Sequence, residues 1–274
     1  MSCVYPLEGW RSAKLNDNGK RPITFKVQEA FQDMPLQVPC GKCVGCARDR
    51  SMAWTVRNYH EWTQHRQSCF LTLTYQDPAP DKINKRDLQL FFKRLRESID
   101  VPVRYFAVGE YGETTHRPHY HALLYGADLK GKSYALDDKQ YGSTFIDRTW
   151  HHGSHAIGDV NYASIAYVSG YVLKKAGNED TFNLMSKRPP IGHGWTEKYI
   201  EELERTGHVV IDGHKLPIPR KYIELYPGEL QQQLTRRKRF YTTMKPDQVE
   251  HHRKARPHRE ANYQSAFDRR IEKL

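Results

Sequence analysis

One segment of this chain limits the possible folds more than any other, because it has the repeat of an amphipathic helix and lies between strand-like runs. Its apolar residues recur every three or four positions on one face, at Leu88, Phe91, Phe92, Leu95 and Ile99. Asn84, with Asp87 three residues later, gives the helix start a signal that resembles a capping box, and Pro102 ends the helix. A helix with one apolar face must bury it against another element, and the flanking strands offer a sheet.

Patterns on both sides of this helix predict an α+β fold in which helices flank a central antiparallel sheet. The order is helix, strand, helix, strand, strand, short strand and helix, with hairpin-like connections. Besides the amphipathic helix, the predicted elements are residues 47–66, 70–75, 103–108, 119–125, 157–160 and 161–176. Residues 127–156 form a polar excursion to which the pattern assigns no structure.

Changes in composition divide the chain into four predicted parts. Residues 1–66 are a cysteine-rich segment, with no regular structure over the first forty residues, followed by a helix that packs on the core. Residues 67–185 form that core. Residues 186–231 form a smaller subdomain with a helix near 196–206 and a hairpin at VVIDGHKLPIP, and residues 232–274 are a basic tail.

The charge balance predicts a polyanionic partner. The 274 residues carry 43 Lys and Arg against 32 Asp and Glu, a formal charge of +11. The tail, 232–274, holds twelve basic and five acidic residues, so +7 of the charge lies there and favours nucleic acid. No apolar run approaches ~20 residues and the start resembles no secretory signal, so we expect a soluble cytoplasmic protein without a membrane partner.

Basic and aromatic residues alternate in several places, a pattern that lets rings stack on unpaired bases while cations contact phosphates. Examples are the segments 54–59, 104–105 and 236–241. The predicted nucleic-acid contacts are Arg117, Arg236, Arg237, Lys238 and Arg239.

His119 and His121 form a candidate metal site, since alternate residues of a strand point to the same face. Glu110 ends the preceding strand, and a hairpin would bring it beside both imidazoles. Two histidines and one carboxylate leave positions open on Mg²⁺ or Mn²⁺ for a phosphate oxygen. Glu113 and His116 are alternative third ligands in the same connection.

A pair of tyrosines lies one turn apart on the last predicted helix of the core, with two lysines close behind. These residues are Tyr167, Tyr171, Lys174 and Lys175. Tyr222 and Tyr226 have the same spacing, but they precede Pro227–Gly228 and lack such lysines. We expect this second pair to be a packing feature.

The spacing Cys40-x-x-Cys43-x-x-Cys46 suits tetrahedral Zn²⁺, with Cys3 as the expected fourth ligand. Such a structural site would tie the N-terminus to the first helix. A reduced buried cluster and a redox pair are alternatives. Cys69 adjoins a strand and is expected to be a core residue.

The motifs, in this order, resemble those of HUH endonucleases, the initiators of rolling-circle replication. They are FLTLTY, GEYG followed by RPHYH, and YVSGYVLKK. With CGKCVGCARDRS upstream and KRPPIG downstream, they resemble the initiators of gokushovirus-type microviruses, which are small single-stranded DNA phages. The resemblance covers about residues 40–192 and implies a sheet related in topology to RNA-recognition domains, with the cysteine-rich segment and basic extension as departures.

The resemblance implies site-specific nicking and joining of single-stranded or origin DNA through a 5′-phosphotyrosine. The implied roles are metal ligand for Glu110, His119 and His121, nucleophile for Tyr167 and Tyr171, and phosphate contact for Lys174 or Lys175. The implied partners include a host helicase and polymerase, in the cytoplasm of a bacterial host.

Three other interpretations stay open. A plasmid initiator, relaxase or transposase could use the same chemistry, although paired tyrosines and the cysteines weigh against single-tyrosine transposases. A non-catalytic zinc-containing nucleic-acid-binding protein would use the basic tail instead. An ordinary basic α+β domain would require all three motifs to occur in order by chance.

Overall fold

In the computed structural model, the chain forms two units, each of which contains an antiparallel sheet. The first unit comprises Met1–Asp49, Leu203–Gly207 and Ile223–Leu274, and the second unit comprises Arg50–Glu202 and His208–Tyr222. The residues that the structure describes are 2–112, 116–129, 133–137, 140–174, 181–233, 250–251 and 253–271.

The first unit holds a three-stranded sheet close to the N-terminus. Its strands are β1 (Leu7–Ser12), β2 (Ile23–Thr24) and β3 (Ala30–Val38), with β1 in the centre. A 3-10 turn, Val27–Glu29, leads into β3. The expectation of irregular structure in the first forty residues is therefore wrong. Strand β3 reads AFQDMPLQV, and its adjacent polar residues and proline hide the alternation that marks a strand.

The second unit is built on a seven-stranded antiparallel sheet, which confirms the predicted α+β fold class. Its strands are β4 (Ser68–Thr74), β5 (Arg104–Tyr111), β6 (Pro118–Tyr125), β7 (Ser133–Ala135), β8 (Tyr141–Ser143), β9 (His155–Gly158) and β10 (Phe182–Met185). Their order across the sheet is β10-β5-β6-β4-β9-β8-β7, so the run FLTLTY supplies the central strand. A separate hairpin, β11 (His208–Ile211) and β12 (His214–Pro217), confirms the one predicted from sequence.

The main helices agree in position with those predicted. They are α1 (Val44–Trp62), α2 (Lys85–Glu97), α3 (Thr144–Thr149), α4 (Tyr162–Lys174), α5 (His193–Lys198), α6 (Ile200–Thr206), α7 (Arg220–Leu225) and α8 (Arg256–Ile271). The helix expected near 196–206 is divided into α5 and α6, and the basic tail contains α8. Among the described helices, none is both long and apolar enough to cross a membrane.

Helix α2 buries its predicted apolar face against one side of the large sheet. Leu88, Phe91, Phe92 and Leu95 are at most 1% exposed. The Phe92 ring stacks on Tyr105 of β5 with 3.6 Å between centroids. This face forms the larger core of the second unit and leaves the opposite face of the sheet to other helices.

Helices α1 and α4 cover the opposite face. Ile165 and Val168 of α4 are fully buried with Phe106 and Val108 of β5. Trp54 of α1 contacts the Phe106 ring at 4.7 Å between centroids. Alternate residues of the same strands therefore serve two different cores.

The start of α2 departs from the predicted capping box. The Asn84 side chain accepts a hydrogen bond from the Arg86 N–H at 2.9 Å, as an N-cap should. Asp87, however, accepts from the Asn84 side chain at 3.0 Å and from the Tyr75 hydroxyl at 2.7 Å. The Asn84 N–H instead donates to the Tyr120 hydroxyl at 3.1 Å. The helix start is thus tied to the sheet, because an Asp side chain is shorter than the Glu of a true capping box.

The described part of residues 127–156 extends the sheet beyond β9. It contributes β7, β8 and α3, none of which the sequence pattern predicts. Trp150 is only 1% exposed, and its indole N–H donates to the Thr74 carbonyl at 3.1 Å. This excursion is therefore anchored on the central strand.

The segment KRPPIG holds the sheet to α1 through its backbone. The Ile191 carbonyl accepts from Arg57 at 3.1 Å, and the Pro189 carbonyl accepts from Arg104 at 2.9 Å. The Gly192 N–H donates to Glu61 at 2.7 Å. Gly192 has a φ of 81°, and a Cβ there would lie 2.3 Å from the Tyr222 hydroxyl, so this position requires glycine.

Glu61 of α1 is the centre of a buried ionic network. Its carboxylate accepts from Arg104 and from Gly192 and lies 3.1 Å from His65 Nε2. Burial raises the pKa of this carboxyl group, but these hydrogen bonds and the Arg104 charge outweigh burial and hold the pKa at about 2.

We predict that Glu61→Gln removes a pH-dependent part of the stability. Because the folded pKa is lowered from 4.5 to about 2, this contribution, about 3 kcal/mol, is present above pH ~4.5 and lost as the pH falls towards ~2. Urea unfolding at several pH values should show a shallower acid loss for Glu61→Gln than for the wild type. Glu97→Gln, at an exposed ion pair, is the control, and an equal acid dependence in all three proteins would contradict the assignment.

Candidate functional site

Strands β5 and β6 bring Glu110 together with His119 and His121. Glu110 pairs directly with His119, and Val108 pairs with His121, so the three ionisable side chains lie on one face of the sheet. The Nε2 atoms of His119 and His121 lie 2.9 and 3.3 Å from the same oxygen, Glu110 Oε1. The three ligand atoms lie within 4.8 Å of one another, so a single metal ion can contact all of them.

The second nitrogen of each imidazole contacts an oxygen outside this group. His119 Nδ1 lies 3.1 Å from the Arg117 carbonyl oxygen, and His121 Nδ1 lies 3.0 Å from Thr72 Oγ1. Thr72 belongs to β4 and pairs directly with His121 across the sheet. A carbonyl can only accept, so it selects the tautomer with the proton on Nδ1. Such outer contacts hold both rings with their Nε2 atoms towards Glu110.

Glu110 is buried, and its charge depends on the histidines. Its residue is 3% exposed. Burial raises the pKa of the carboxyl group, but hydrogen bonds with His119 and His121 outweigh that effect and lower the pKa to about 2. The side chain is therefore an anion at neutral pH, which suits a ligand for a divalent cation.

Helix α4 places Tyr167 and Tyr171 beside these residues. Its buried residues Ile165 and Val168 hold it against the sheet. The Tyr167 hydroxyl lies 3.5 Å from His121 Nε2, and the Tyr171 hydroxyl donates to that of Tyr167. The Tyr171 ring stacks on the His121 imidazole with 5.4 Å between centroids. Both hydroxyl groups thus lie at the metal-capable cluster.

The surroundings of Tyr171 favour its neutral form. Burial raises the pKa of this phenol above its ordinary value, and the negative charge of Glu110 raises it further. The neutral hydroxyl can donate a hydrogen bond, which it does towards Tyr167.

Two site residues on β4 escape the sequence patterns. Phe70 stacks on His121 at 5.5 Å and contacts the Tyr167 ring edge-on at 6.3 Å. Thr72 has the same parity on the strand and contacts His121 through its hydroxyl. Both belong to the FLTLTY motif, but a local pattern does not show that this strand lies next to β6.

The remaining residues of the sequence-based hypothesis are not placed at this cluster. His116 is exposed, with a positive φ of 51°, and does not belong to the metal-capable group. Lys174 ends α4, but its side chain lies outside the described residues. Glu113, Lys175, the helix end expected at Gly177 and the run Arg236, Arg237, Lys238 and Arg239 also lie outside them.

Arg117 is engaged within the second unit. Its guanidinium donates to the Tyr75 carbonyl at 2.7 Å and pairs with Asp77 at 3.1 Å. Its own carbonyl lies beside His119. The side chain thus joins the end of β4 to the histidine strand, and its contact with DNA stays a prediction.

Tyr222 lies in the packed interior, as expected for the second tyrosine pair. It is fully buried, and its hydroxyl lies 3.0 Å from His60 Nδ1. His60 in turn stacks on Trp195 with 3.4 Å between centroids. Burial lowers the pKa of His60 to about 3, so this neighbour is neutral.

The four cysteines of the N-terminal motif form a second metal-capable cluster, in the first unit. The sulfur atoms of Cys3, Cys40, Cys43 and Cys46 all lie within 4.8 Å of one another. The Cys40–Cys46 and Cys3–Cys43 sulfur pairs are 4.0 and 3.9 Å apart, close to the ~3.8 Å edge of a tetrahedron with Zn–S bonds of ~2.3 Å. All four thiols are free.

The backbone around this cluster donates to sulfur. The Val4 N–H donates to Cys43 at 3.3 Å, and the Cys40 N–H donates to Cys3 at 3.3 Å. Burial raises the pKa of the Cys43 thiol, but N–H donors from Val4 and Cys46 outweigh burial and lower the pKa to about 6. By contrast, Cys69 is fully buried in the core of the second unit, as expected.

Comparisons with known proteins agree with this arrangement. A family model for replication-associated proteins of the ORF2 type matches residues 68–176, which include both histidines and both tyrosines. The chain is 33% identical over 249 residues to the "Replication-associated protein VP4" of Bdellovibrio phage phiMH2K, covering 82% of this chain and 77% of that protein.

Two further relatives are more distant. The "Replication-associated protein ORF2" of Spiroplasma virus 4 is 32% identical over 60% of this chain and 57% of its own length. The "Replication-associated protein ORF4" of Chlamydia phage 1 is 28% identical over 69% of this chain and 53% of its own length. No solved structure matches the chain.

Fold and site together define an α+β protein whose central hairpin carries a Glu–His–His cluster facing two helical tyrosines. The chain belongs to the family of replication-associated proteins of small phages, and its resemblance to gokushovirus-type rolling-circle initiators is confirmed.

We predict that Thr72 positions His121 for metal binding. Thr72→Val removes the oxygen beside His121 Nδ1 and should weaken Mn²⁺ binding about tenfold, the effect typical of an outer-shell contact. Isothermal titration with Mn²⁺ measures this change. Thr72→Ser keeps the hydroxyl and should bind as the wild type does, so equal affinity of the Val and wild-type proteins would disprove the role.

Proposed function

We propose that this protein is a nicking and joining endonuclease that initiates rolling-circle replication of a single-stranded DNA genome. One observation carries the proposal: two tyrosine hydroxyls converge on a buried Glu–His–His cluster, with Tyr167 3.5 Å from His121. Membership in the replication-associated family supports the choice of DNA as substrate.

The residues present fit a divalent cation. Glu110 supplies an ionised oxygen, and His119 and His121 direct nitrogen atoms at that oxygen from 2.9 and 3.3 Å. An imidazole lone pair and a carboxylate oxygen repel at this distance unless a positive charge stands between them. Mg²⁺ or Mn²⁺ is the expected ion, and when bound it polarises the scissile phosphate and stabilises charge on its oxygens.

The proposed reaction is a transfer of a phosphoryl group to tyrosine. The phenolic oxygen of Tyr167 or Tyr171 attacks the phosphorus, the bond from phosphorus to the 3′ oxygen breaks, and the DNA 5′ end becomes linked to the tyrosine. The phenolic proton is lost and the released 3′ oxygen gains one, so no net proton is consumed. The phosphotyrosine keeps the bond energy, so the reverse attack by a 3′-OH rejoins DNA without ATP.

Two adjacent nucleophiles explain strand transfer. Tyr167 and Tyr171 lie one helical turn apart, and their hydroxyls are hydrogen-bonded to each other. While one tyrosine still holds the old 5′ end, the other can cleave the regenerated origin. The buried helix face beneath them keeps both hydroxyls at the same cluster.

The remaining roles are proposed from charge and position. Lys174 or Lys175 would hold the DNA phosphate near the tyrosines, and Arg117 with the basic residues 236–239 would contact the strand. In this proposal residues 67–185 form the endonuclease core, and the released 3′ end is passed to a host helicase and polymerase in a bacterial cytoplasm. The substrate should be single-stranded or extruded, because its phosphate must reach a buried cluster.

We predict that the chain forms a covalent adduct with single-stranded origin DNA in the presence of Mn²⁺. Denaturing gel electrophoresis with 5′-end and 3′-end labels identifies which DNA end is linked. Replacing both Tyr167 and Tyr171 by Phe should abolish the adduct. Tyr162→Phe, on the exposed start of the same helix, is the matched control and should leave adduct formation unchanged.

The result also separates the alternatives. A non-catalytic DNA-binding protein would retain full function when His119 and His121 are replaced by Ala. A relaxase or transposase would form the adduct on DNA from a transfer origin or transposon end rather than on a replication origin.

We also propose that the cysteine cluster binds a structural Zn²⁺ ion. Four thiols at near-tetrahedral separations, with N–H donors at their sulfurs, support zinc over a redox pair. The ion would fasten Cys3 to the start of α1 and so hold the N-terminal strands in place.

Metal analysis tests this proposal. We expect one zinc per chain in protein purified under reducing conditions, and a loss of zinc with lower thermal stability for Cys43→Ser. Cys69→Ala removes a cysteine from the other unit and should keep the zinc. A folded wild-type chain without zinc, with every thiol reactive, would disprove the site.

A further inference from the structure

The three-stranded sheet of the first unit exposes an apolar face. Arg11 of β1 pairs with Ile23 of β2 and with Phe31 of β3, and directly paired residues point to the same side. Leu7 has the same parity as Arg11 on β1. Leu7, Ile23 and Phe31 are 47%, 43% and 41% exposed, which is unusual for large apolar residues side by side on a sheet.

Phe25 completes this face. Its ring lies over Gly9 of β1, where an added Cβ would come within 3.2 Å of the ring. The absence of a side chain at Gly9 thus makes room for the ring, which remains 54% exposed on its outer side. We name the surface formed by Leu7, Arg11, Ile23, Phe25 and Phe31 the N-terminal aromatic face.

Positive charge surrounds these rings. The Arg21 guanidinium lies over the Phe31 ring at 5.2 Å, and Arg11 donates to the Arg21 carbonyl at 3.1 Å. Residues 11–26 contain five basic residues and one acidic residue, a net charge of +4. Of the five, Lys26 is paired with Glu29 at 2.9 Å.

The charge of the whole chain points to the same segment. Residues 67–185 carry 14 basic and 14 acidic residues, so the proposed endonuclease core is neutral overall. The formal charge of +11 is fully accounted for by residues 11–26 and 232–274. A neutral core needs charged surfaces elsewhere to hold a polyanion.

We propose that the N-terminal aromatic face binds single-stranded DNA, with unpaired bases stacked on Phe25 and Phe31 and phosphates held by Arg21 and its basic neighbours. Exposed aromatic rings among cations are the features by which proteins bind single strands without sequence preference. An interface with another protein is normally depleted of lysine, whereas this segment is rich in it. The choice of DNA rests on the proposed function, but the face lies in the first unit and the tyrosines lie in the second.

Binding of the full-length chain to fluorescent oligothymidylate tests this proposal. The assay uses the Tyr167→Phe, Tyr171→Phe background, so that cleavage cannot occur. Phe25→Ala and Phe31→Ala should each weaken binding roughly tenfold, the order expected for loss of one base–ring stack. Arg21→Gln should weaken binding and lower the salt dependence by about one ion.

Conservative variants separate stacking from general apolar contact. Phe25→Leu keeps an apolar side chain but no ring, so it should weaken binding almost as much as Phe25→Ala. Phe25→Trp should retain affinity. Leu15→Ala, at an exposed residue outside this face, is the control and should change nothing.

Two outcomes would overturn the proposal. Undiminished DNA binding by folded Phe25→Ala and Phe31→Ala proteins would exclude stacking. A change of oligomeric state in light scattering, with DNA affinity intact, would identify the face as an interface between copies of the chain. Adduct formation by chains with both tyrosines is measured separately, so failure of the nicking proposal remains distinguishable from failure of this one.

Discussion

The pairing register between β5 and β6 is the constraint on which the candidate site depends. It places Glu110 opposite His119, and a shift of one residue would place Glu110 opposite Tyr120, which faces α2. The other side of the sheet opposes such a shift. The Tyr120 hydroxyl donates to the Asn84 carbonyl at 2.8 Å and accepts from the Asn84 N–H, so the strand is tied to the start of α2.

The two faces of the large sheet therefore have different tasks. On one face, α2 and its aromatic contacts supply the packing that sets the register. On the other face, α4 is held by Ile165 and Val168 and presents its tyrosines to the histidines. One strand, β6, contributes to both, since Tyr120 faces the core and its neighbours His119 and His121 face the site. Packing and proposed chemistry are thus encoded in alternate residues of a single strand.

The sequence allowed the second unit to be predicted well where its periodicity was strong, as in α2 and in the hairpin that carries Glu110 and His119. Phe70 and Thr72 could not be identified as site residues, because the order of strands across a sheet is not encoded in a local pattern. The N-terminal strands were missed for another reason. Residues such as Phe25 and Phe31 leave apolar side chains exposed, so burial imposes no alternation of apolar and polar residues there.

The distribution of charge gives the two units complementary parts in the proposed mechanism. A site that must bind divalent cations and release a joined DNA product gains little from a strongly basic surround, and residues 67–185 carry no net charge. Retention of a long strand between two cleavages needs a hold that does not depend on the scissile phosphate. Basic segments outside the core can supply that hold by counterion release and stacking, which are insensitive to sequence. Sequence recognition and chemistry can then reside in the neutral core, where each contact need only distinguish one phosphate from another.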